Sequence, residues 1–376
     1  MSKKTDPVVH LDYNRDQVPA WVREVIEVGL AIEQEDARSA GSLGFMTRAL
    51  VSATMPYKDP KAKVFERRNG DLTLTMLSPN GVPYGKYPRL LLAYLVTEAV
   101  QTRSNVIVLG DTLADFMKAS IGVRATGGIT GTRTRLSDQM QRLFTSVVSV
   151  GQRVTAEDHS RSFQFENITL VQRGRLEERD LARFDTLETQ PQPATNEVGD
   201  VLWRSVENTE AAGQWNSAVE ITPRFFQECV QTAVPLDLRA YKCLGEAPMA
   251  MDIYAWATYR ASYVKKPTLP IPWVRLQAQF GSGLPFTDQG TRDFKKAFKR
   301  NLDLVRLVYK DLRVDEDGKA NGLVLLPSPT SIPKSLASPS PAASPSPAPT
   351  SIPKSPASPS PAASPSPAPQ FRLFEA

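Results

Sequence analysis

Six cations crowd the stretch between Asp288 and Tyr309: Arg292, Lys295, Lys296, Lys299, Arg300 and Arg306. Beyond Asp288 at its start, only Asp293 and Asp303 offset them. Phe294, Ala297, Phe298, Leu302, Val305 and Val308 recur between them at steps of three and four, the period of a helix with one apolar face. Such a helix carries its cations on the remaining surface. A helix fits the major groove of duplex DNA, where Arg and Lys donate to guanine edges and to phosphates. The competing reading is an ordinary solvated charged face. A second set lies between Thr132 and Thr145. There Leu136, Met140, Leu143 and Phe144 predict the inward face, and Arg133, Arg135, Gln139 and Arg142 predict the outward one. A solvated or dimer-facing surface is the alternative at that position.

Other chemistry is poorly represented. The two histidines, His10 and His159, lie far apart, which excludes a closely spaced pair holding a catalytic metal. The stretch Gly81 to Lys86, GVPYGK, has three residues between its glycines where a phosphate loop has four, and Tyr87 stands where Ser or Thr would hold magnesium. It predicts a turn. Cys229 and Cys243 fit no metal or redox spacing and predict two reduced thiols. The carboxylates form no acid/base constellation. The expectation is a protein without cofactor, metal or enzymatic activity. Its net charge of +5 is a mild hint of a polyanionic partner.

Which elements would position these residues? A chain of 376 residues predicts two or three domains. Its apolar runs, such as Leu90 to Leu95, are too short to cross a bilayer, and no signal pattern follows Met1 to Lys4. A cytoplasmic protein with no membrane partner is expected. Residues 1–44 predict an arm and one helix over Asp16 to Glu33, with Val18, Trp21, Val22, Val25, Ile26, Val28 and Leu30 as apolar positions.

Residues 45–186 read as a strand at Asp71 to Leu77, a buried helix at Arg89 to Gln101 and a strand at Asn105 to Leu109. A helix capped by Asp111 runs on to Ala119, a turn falls at Gly127 and Gly128, and another helix covers Thr132 to Thr145. Two β-rich runs, Ser146 to Val154 and Ser162 to Val171, close the segment. Helix, strand, helix, turn, helix and two-stranded ribbon is the layout of a winged helix.

Residues 187–199 are a polar linker, and residues 200–326 repeat the plan. A strand at Ser217 to Ile221 precedes helices at Pro223 to Gln231, Pro248 to Val264, Ile271 to Phe280 and Asp288 to Tyr309. A hairpin of Asp311 to Val314 with Gly322 to Leu326 ends the segment. The predicted class is α+β: two tandem winged-helix domains followed by a disordered Pro/Ser/Ala-rich tail over residues 327–369. That tail contains a 20-residue direct repeat, TSIPKSLASPSPAASPSPAP from Thr330 and TSIPKSPASPSPAASPSPAP from Thr350. It lacks the apolar side chains that offset ordering entropy and favours stiff polyproline II.

Three blocks resemble the plasmid-encoded RepA replication initiators: YGKYPRLLLAYLVTEAV from Tyr84, ATGGITGTRTRLSDQMQRLF from Ala125, and VPLDLRAYKCLGEAPMAMDIYAWATYR from Val234. The resemblance spans roughly residues 45–310. It implies tandem winged helices, binding of repeated origin sites (iterons), opening of nearby A·T-rich DNA, and recruitment of the host initiator and helicase machinery. It also implies that the C-terminal winged helix is the main DNA reader, while the N-terminal one supports homodimer formation and backbone contacts. On that analogy Lys295, Lys296, Lys299 and Arg300 are the foremost contacts.

Residues 370–376 end the chain with QFRLF and two further residues. The peptide is similar to the bacterial sliding-clamp-binding motif of Gln, Leu, a polar residue, Leu and Phe. Gln370, Leu373 and Phe374 match, and Phe371 departs. Two apolar anchors and one oriented amide on a stiff spacer suit capture of a preformed pocket. The alternative is a frayed terminus. For the whole chain, an operator-binding repressor without initiator activity is the second reading, and a primase or nicking enzyme the third.

Overall fold

The computed structural model describes residues 18–109, 113–128, 130–155, 161–175, 218–281, 283–316 and 322–333. Several expectations fall outside them: the first seventeen residues, His10 and His159, the Asp111 cap, the linker 187–199, and everything beyond residue 333. Helix α1, Ala20–Gln34, turns Val22 and Val25 into the core and leaves Ile26 and Leu30 in solvent. Strand β1, Leu43–Thr47, is buried at every position and leads into the short helix α2, Arg48–Ser52. Strands β2, Val64–Asn69, and β3, Leu72–Leu77, form a hairpin. Helix α3, Lys86–Thr102, is buried on nearly all sides.

Strand β4, Val106–Val108, follows. A single turn, α4, Leu113–Asp115, then runs into a π-type segment at Phe116–Ile121. Helix α5, Thr132–Phe144, precedes three strands: β5, Val147–Thr155; β6, Arg161–Thr169; and β7, Val171–Arg175.

After the undescribed stretch come β8, Ala218–Ile221; α6, Pro223–Gln231; β9, Ala233–Asp237; α7, Leu238–Cys243; and α8, Pro248–Ala261. The last group is β10, Ile271–Pro272; α9, Trp273–Phe280; α10, Asp288–Val308; β11, Val314–Asp315; and β12, Gly322–Leu325. Helices and sheets are thus mixed, as an α+β class requires.

The sheets cross the boundary that the sequence suggests. Strand β9 pairs antiparallel with β1, Phe45 lying opposite Pro235. Proline cannot donate to a ladder, but the Phe45 amide turns away to Thr97, so this pair exchanges no ladder hydrogen bonds and the Pro235 nitrogen faces outward. Strand β8 sits between β4 and β7, in sheet order β4-β8-β7. The ribbon β5–β6 does not return to β4; β3 pairs with β5 instead, giving the order β2-β3-β5-β6. Helix α1 packs against α7 and α10. One contiguous core therefore draws on both segments.

A buried ion pair fastens α3 to α8. The Arg89 guanidinium donates from Nε and Nη2 to the two carboxylate oxygens of Asp252, at 2.9 and 2.8 Å. Its remaining N–H groups meet the carbonyls of Met55, Pro56 and Gly85. Arg89 is 1% exposed, so an unpaired charge there would be costly. Burial opposes the charge, but Asp252 outweighs it and raises the Arg89 pKa above its ordinary value.

Three local expectations are corrected. The helix expected from Ile271 starts at Trp273, because Ile271 precedes proline and stays extended, pairing with Leu323 of β12. The closing hairpin is shorter than expected, β11 holding only Val314 and Asp315. The tail does not leave the body at residue 327: Ile332 is only 3% exposed, since an isoleucine with a pocket beside it gains more by burial than by remaining in water.

Candidate nucleic-acid interface

The start of α10 is fixed by its connection to α9. The buried Gln277 donates from Nε2 to the Pro285 carbonyl at 2.9 Å and accepts from the Thr291 hydroxyl at 2.8 Å. Thr287 caps α10 by accepting from the Gly290 amide at 3.1 Å. Gly290 is required there, because a Cβ would stand 2.0 Å from the Pro285 carbonyl oxygen. Phe294 and Phe298 fill the inward face, with Phe298 edge-on to Trp273 at 5.9 Å and to Phe280 at 5.5 Å. Leu302, Val305 and Val308 continue that face.

The outward face is then determined. Arg292, Lys296 and Arg300 are exposed and spaced four residues apart, so they form one line along the helix. Arg292 is steadied by Gln289, whose side-chain oxygen accepts from Nη2 at 3.0 Å. Lys295 and Lys299 are half-buried on a flank. The Lys295 ammonium lies 5.1 Å from the centre of the Trp273 ring, a cation–π contact that leaves its charge available.

Arg306 lies elsewhere in the design. It donates to Asp303 at 2.9 Å and to Glu316, just beyond β11, at 2.7 Å, with its side chain 11% exposed. Burial disfavours its charge, yet the two carboxylates together hold its pKa above the ordinary value. It braces the helix end against the hairpin.

Helix α5 shows the same division. Thr126 and Thr132 bond reciprocally, each side chain accepting from the other's amide, at 2.8 and 2.9 Å. Gly131 packs onto the Thr126 carbonyl at a distance no Cβ could tolerate. This tight loop presents Arg133 and Arg135, both exposed, at the head of α5. Gln139 is buried, at 3% exposure, and accepts from the Tyr84 amide at 2.8 Å. Arg142 pairs with Asp138 at 3.0 Å and with Asp59 at 3.6 Å, and its guanidinium covers the Tyr84 ring. Both hold the Gly81 to Lys86 stretch, which is a turn with positive φ at Gly81 and Gly85.

Trp273 and Gln277 are the two site residues the sequence reading passed over. Positions 273, 276, 277 and 280 have helical spacing, a signal that places Gln277 on the inward face of α9 despite its polarity. Gln370, Leu373 and Phe374 lie outside the described residues. Among those described, no three His, Cys, Asp or Glu side chains come together as metal ligands, and no helix is long and apolar enough to cross a membrane. What the described residues offer is a line of exposed cations on a helix whose entry is held in place.

In comparison with known proteins, a family model described as plasmid encoded RepA protein matches residues 82–190 and 192–269, all of them before α9. The match takes in α3 through α8 and stops before α9 and α10, short of the residue 310 that the motif blocks suggested. The comparison with curated proteins finds no match. Among solved structures, the selenomethionine derivatives of domain 2 and domain 3 of RctB are similar at 14% identity and a TM-score of 0.41, covering 75% of this chain and 96% of that one. A second structure of RctB domains 2-3 gives 13% identity and a TM-score of 0.39, with 73% and 93% covered.

Proposed function

This chain belongs to the family of plasmid-encoded RepA proteins, and from that premise we propose that it initiates plasmid replication by binding duplex DNA at the origin through α10. The observation that carries this reading is the line of Arg292, Lys296 and Arg300, exposed on a helix whose entry is locked by Gln277, Thr287 and Gly290. Elements α8, β10, α9, α10, β11 and β12 run in the order of a winged helix, and the sheet order β10-β12-β11 supports it. Elements α3, β4, α4, α5, β5 and β6 follow the same order along the chain, but their ribbon pairs with β3 rather than β4; in this reading Arg133 and Arg135 make backbone contacts from the head of α5. In this reading Lys295 and Lys299 assist from the flank, whereas Arg306, Gln139 and Arg142 act through structure. No enzymatic step is invoked. Opening of A·T-rich DNA, homodimer formation, and recruitment of host initiator, helicase and sliding clamp (the last through Gln370, Leu373 and Phe374) complete the proposal.

Replacing Arg292, Lys296 and Arg300 by Ala is expected to weaken binding at least about tenfold in fluorescence anisotropy with an origin duplex. The slope of log K against log salt should also fall by about 0.9 for each phosphate that the variant no longer neutralises. Arg306→Ala should leave that slope unchanged. An unchanged slope in the triple variant moves the interface off α10. Supplying the chain in trans to a plasmid that carries only the origin repeats separates the two functional readings: binding without replication leaves an operator-binding repressor.

A further inference from the structure

The first copy of the tail repeat is seated on the body. The Tyr309 hydroxyl donates to the Pro329 carbonyl. The Ser331 hydroxyl is hydrogen-bonded to that of Tyr254 at 2.9 Å, and the Thr330 hydroxyl donates to the Ile332 carbonyl at 2.7 Å. Tyr254 and Tyr309 are themselves buried and meet edge-on at 6.4 Å, so both hydroxyls are held in place. Ile332 is buried beside a cavity of about 310 Å³ whose walls include Arg48, Pro235, Thr258 and Tyr259. The seat is built for a short sequence: a proline carbonyl, a threonine, a serine hydroxyl and a branched apolar side chain.

That sequence occurs twice. Pro327 to Ser335 reads PSPTSIPKS, and Pro347 to Ser355 reads PAPTSIPKS, identical at eight of nine positions. The one difference is Ala348 in place of Ser328, whose hydroxyl accepts from the Arg313 amide at 2.9 Å. Every group that meets Tyr254, Tyr309 and the Ile332 site is present again at Pro349, Ser351 and Ile352.

We propose that the seat between Tyr254, Tyr309 and α8 accepts either copy, so that Thr350 to Pro353 of the same chain replaces Thr330 to Pro333 with Ile352 in the place of Ile332. The first copy holds the seat in the intact chain, because it continues directly from β12. The second must close a loop of 20 residues, a disadvantage on the order of a hundredfold, and it lacks the Ser328 contact. The exchange changes the reach of the chain's end. Counted along the sequence to Gln370, 37 residues follow the seat when the first copy fills it and 17 when the second does. At about 3.1 Å per residue this shortens the extended reach by roughly half. The proposal does not depend on what the terminal peptide binds.

The test uses the full chain with a benzophenone side chain at position 353 (Pro353→p-benzoylphenylalanine), which cross-links to its neighbours on illumination. In the Ile332→Ala background, adducts between the tail and peptides containing Tyr254 or Tyr259 should rise at least about tenfold over the parent, at the mass of a single chain. Adding Ile352→Ala should return them to the parental level. Ser331→Ala, which removes only the hydroxyl bonded to Tyr254, is the milder companion if Ile332→Ala disturbs folding, and it should raise the same adduct to a lesser degree. No rise in either variant, or adducts only between two chains, overturns the proposal.

Discussion

Each N–H group of the Arg89 guanidinium is met by an oxygen, either of Asp252 or of a neighbouring backbone carbonyl. Removing one partner leaves the other charge buried, so Asp252→Ala should lower stability by about 3–5 kcal/mol, read from the urea midpoint. Replacing both by apolar residues of similar volume, as in Arg89→Met with Asp252→Leu, should recover much of that loss. The thiols make a second test at this scale. Burial pushes the Cys243 thiol up to about 12 and raises that of Cys229 as well. Because the thiolate is the reactive form, both should label with a maleimide at pH 8 at least about a hundredfold more slowly in the native protein than in urea. Single residues were unevenly legible. The spacing of 136, 139, 140 and 143 already places Gln139 on the inward face of α5, so its burial was readable. Asp303 three residues before Arg306 hinted at a pair, but Glu316, across the hairpin, gave no local signal.

Among the elements, long helices were legible: α5 and α10 through a sustained apolar period, α3 and α8 through apolar runs too long for a strand, and all four lie where the pattern put them. Strands β1, β2 and β9 were not. Strand β1 is buried at all five positions and so has no alternation, and β9 contains Pro235, which argues against a strand in sequence alone. The crossing of α1 over α10 depends on Gly29, where a Cβ would stand 2.1 Å from the Leu307 carbonyl oxygen. Gly29→Ala must therefore separate two helices. The expected loss is about 1–3 kcal/mol, visible as a lowered thermal midpoint. Since α10 carries the proposed DNA contacts, the same variant should also weaken origin binding, although residue 29 itself meets no DNA in this reading.

At the scale of the whole molecule, the pairings of β1 with β9 and of β8 with β4 and β7 tie the two halves of the chain into one core. The sequence divides readily into two runs of helices and strands, but nothing inside either run specifies a partner in the other, because ladder hydrogen bonds come from backbone that every residue shares. Unfolding followed by tryptophan fluorescence and by far-ultraviolet circular dichroism should give one coincident transition. A protease site introduced within residues 187–199 and cut in the folded protein should leave two fragments that co-elute in gel filtration and separate only in denaturant. Two separated transitions, or fragments that part without denaturant, would show that the halves are energetically independent.

The same pairing sets a schedule for the ribosome. Strand β1 emerges about 190 residues before β9, its only ladder partner among the described residues, and α1 precedes α10 by still more. At roughly 5–20 residues per second, β1, a strand buried at every position in the folded protein, waits on the order of ten to forty seconds for that ladder partner. The nascent chain is therefore exposed to aggregation in that interval, and a trigger-factor-like holdase would act on yield there.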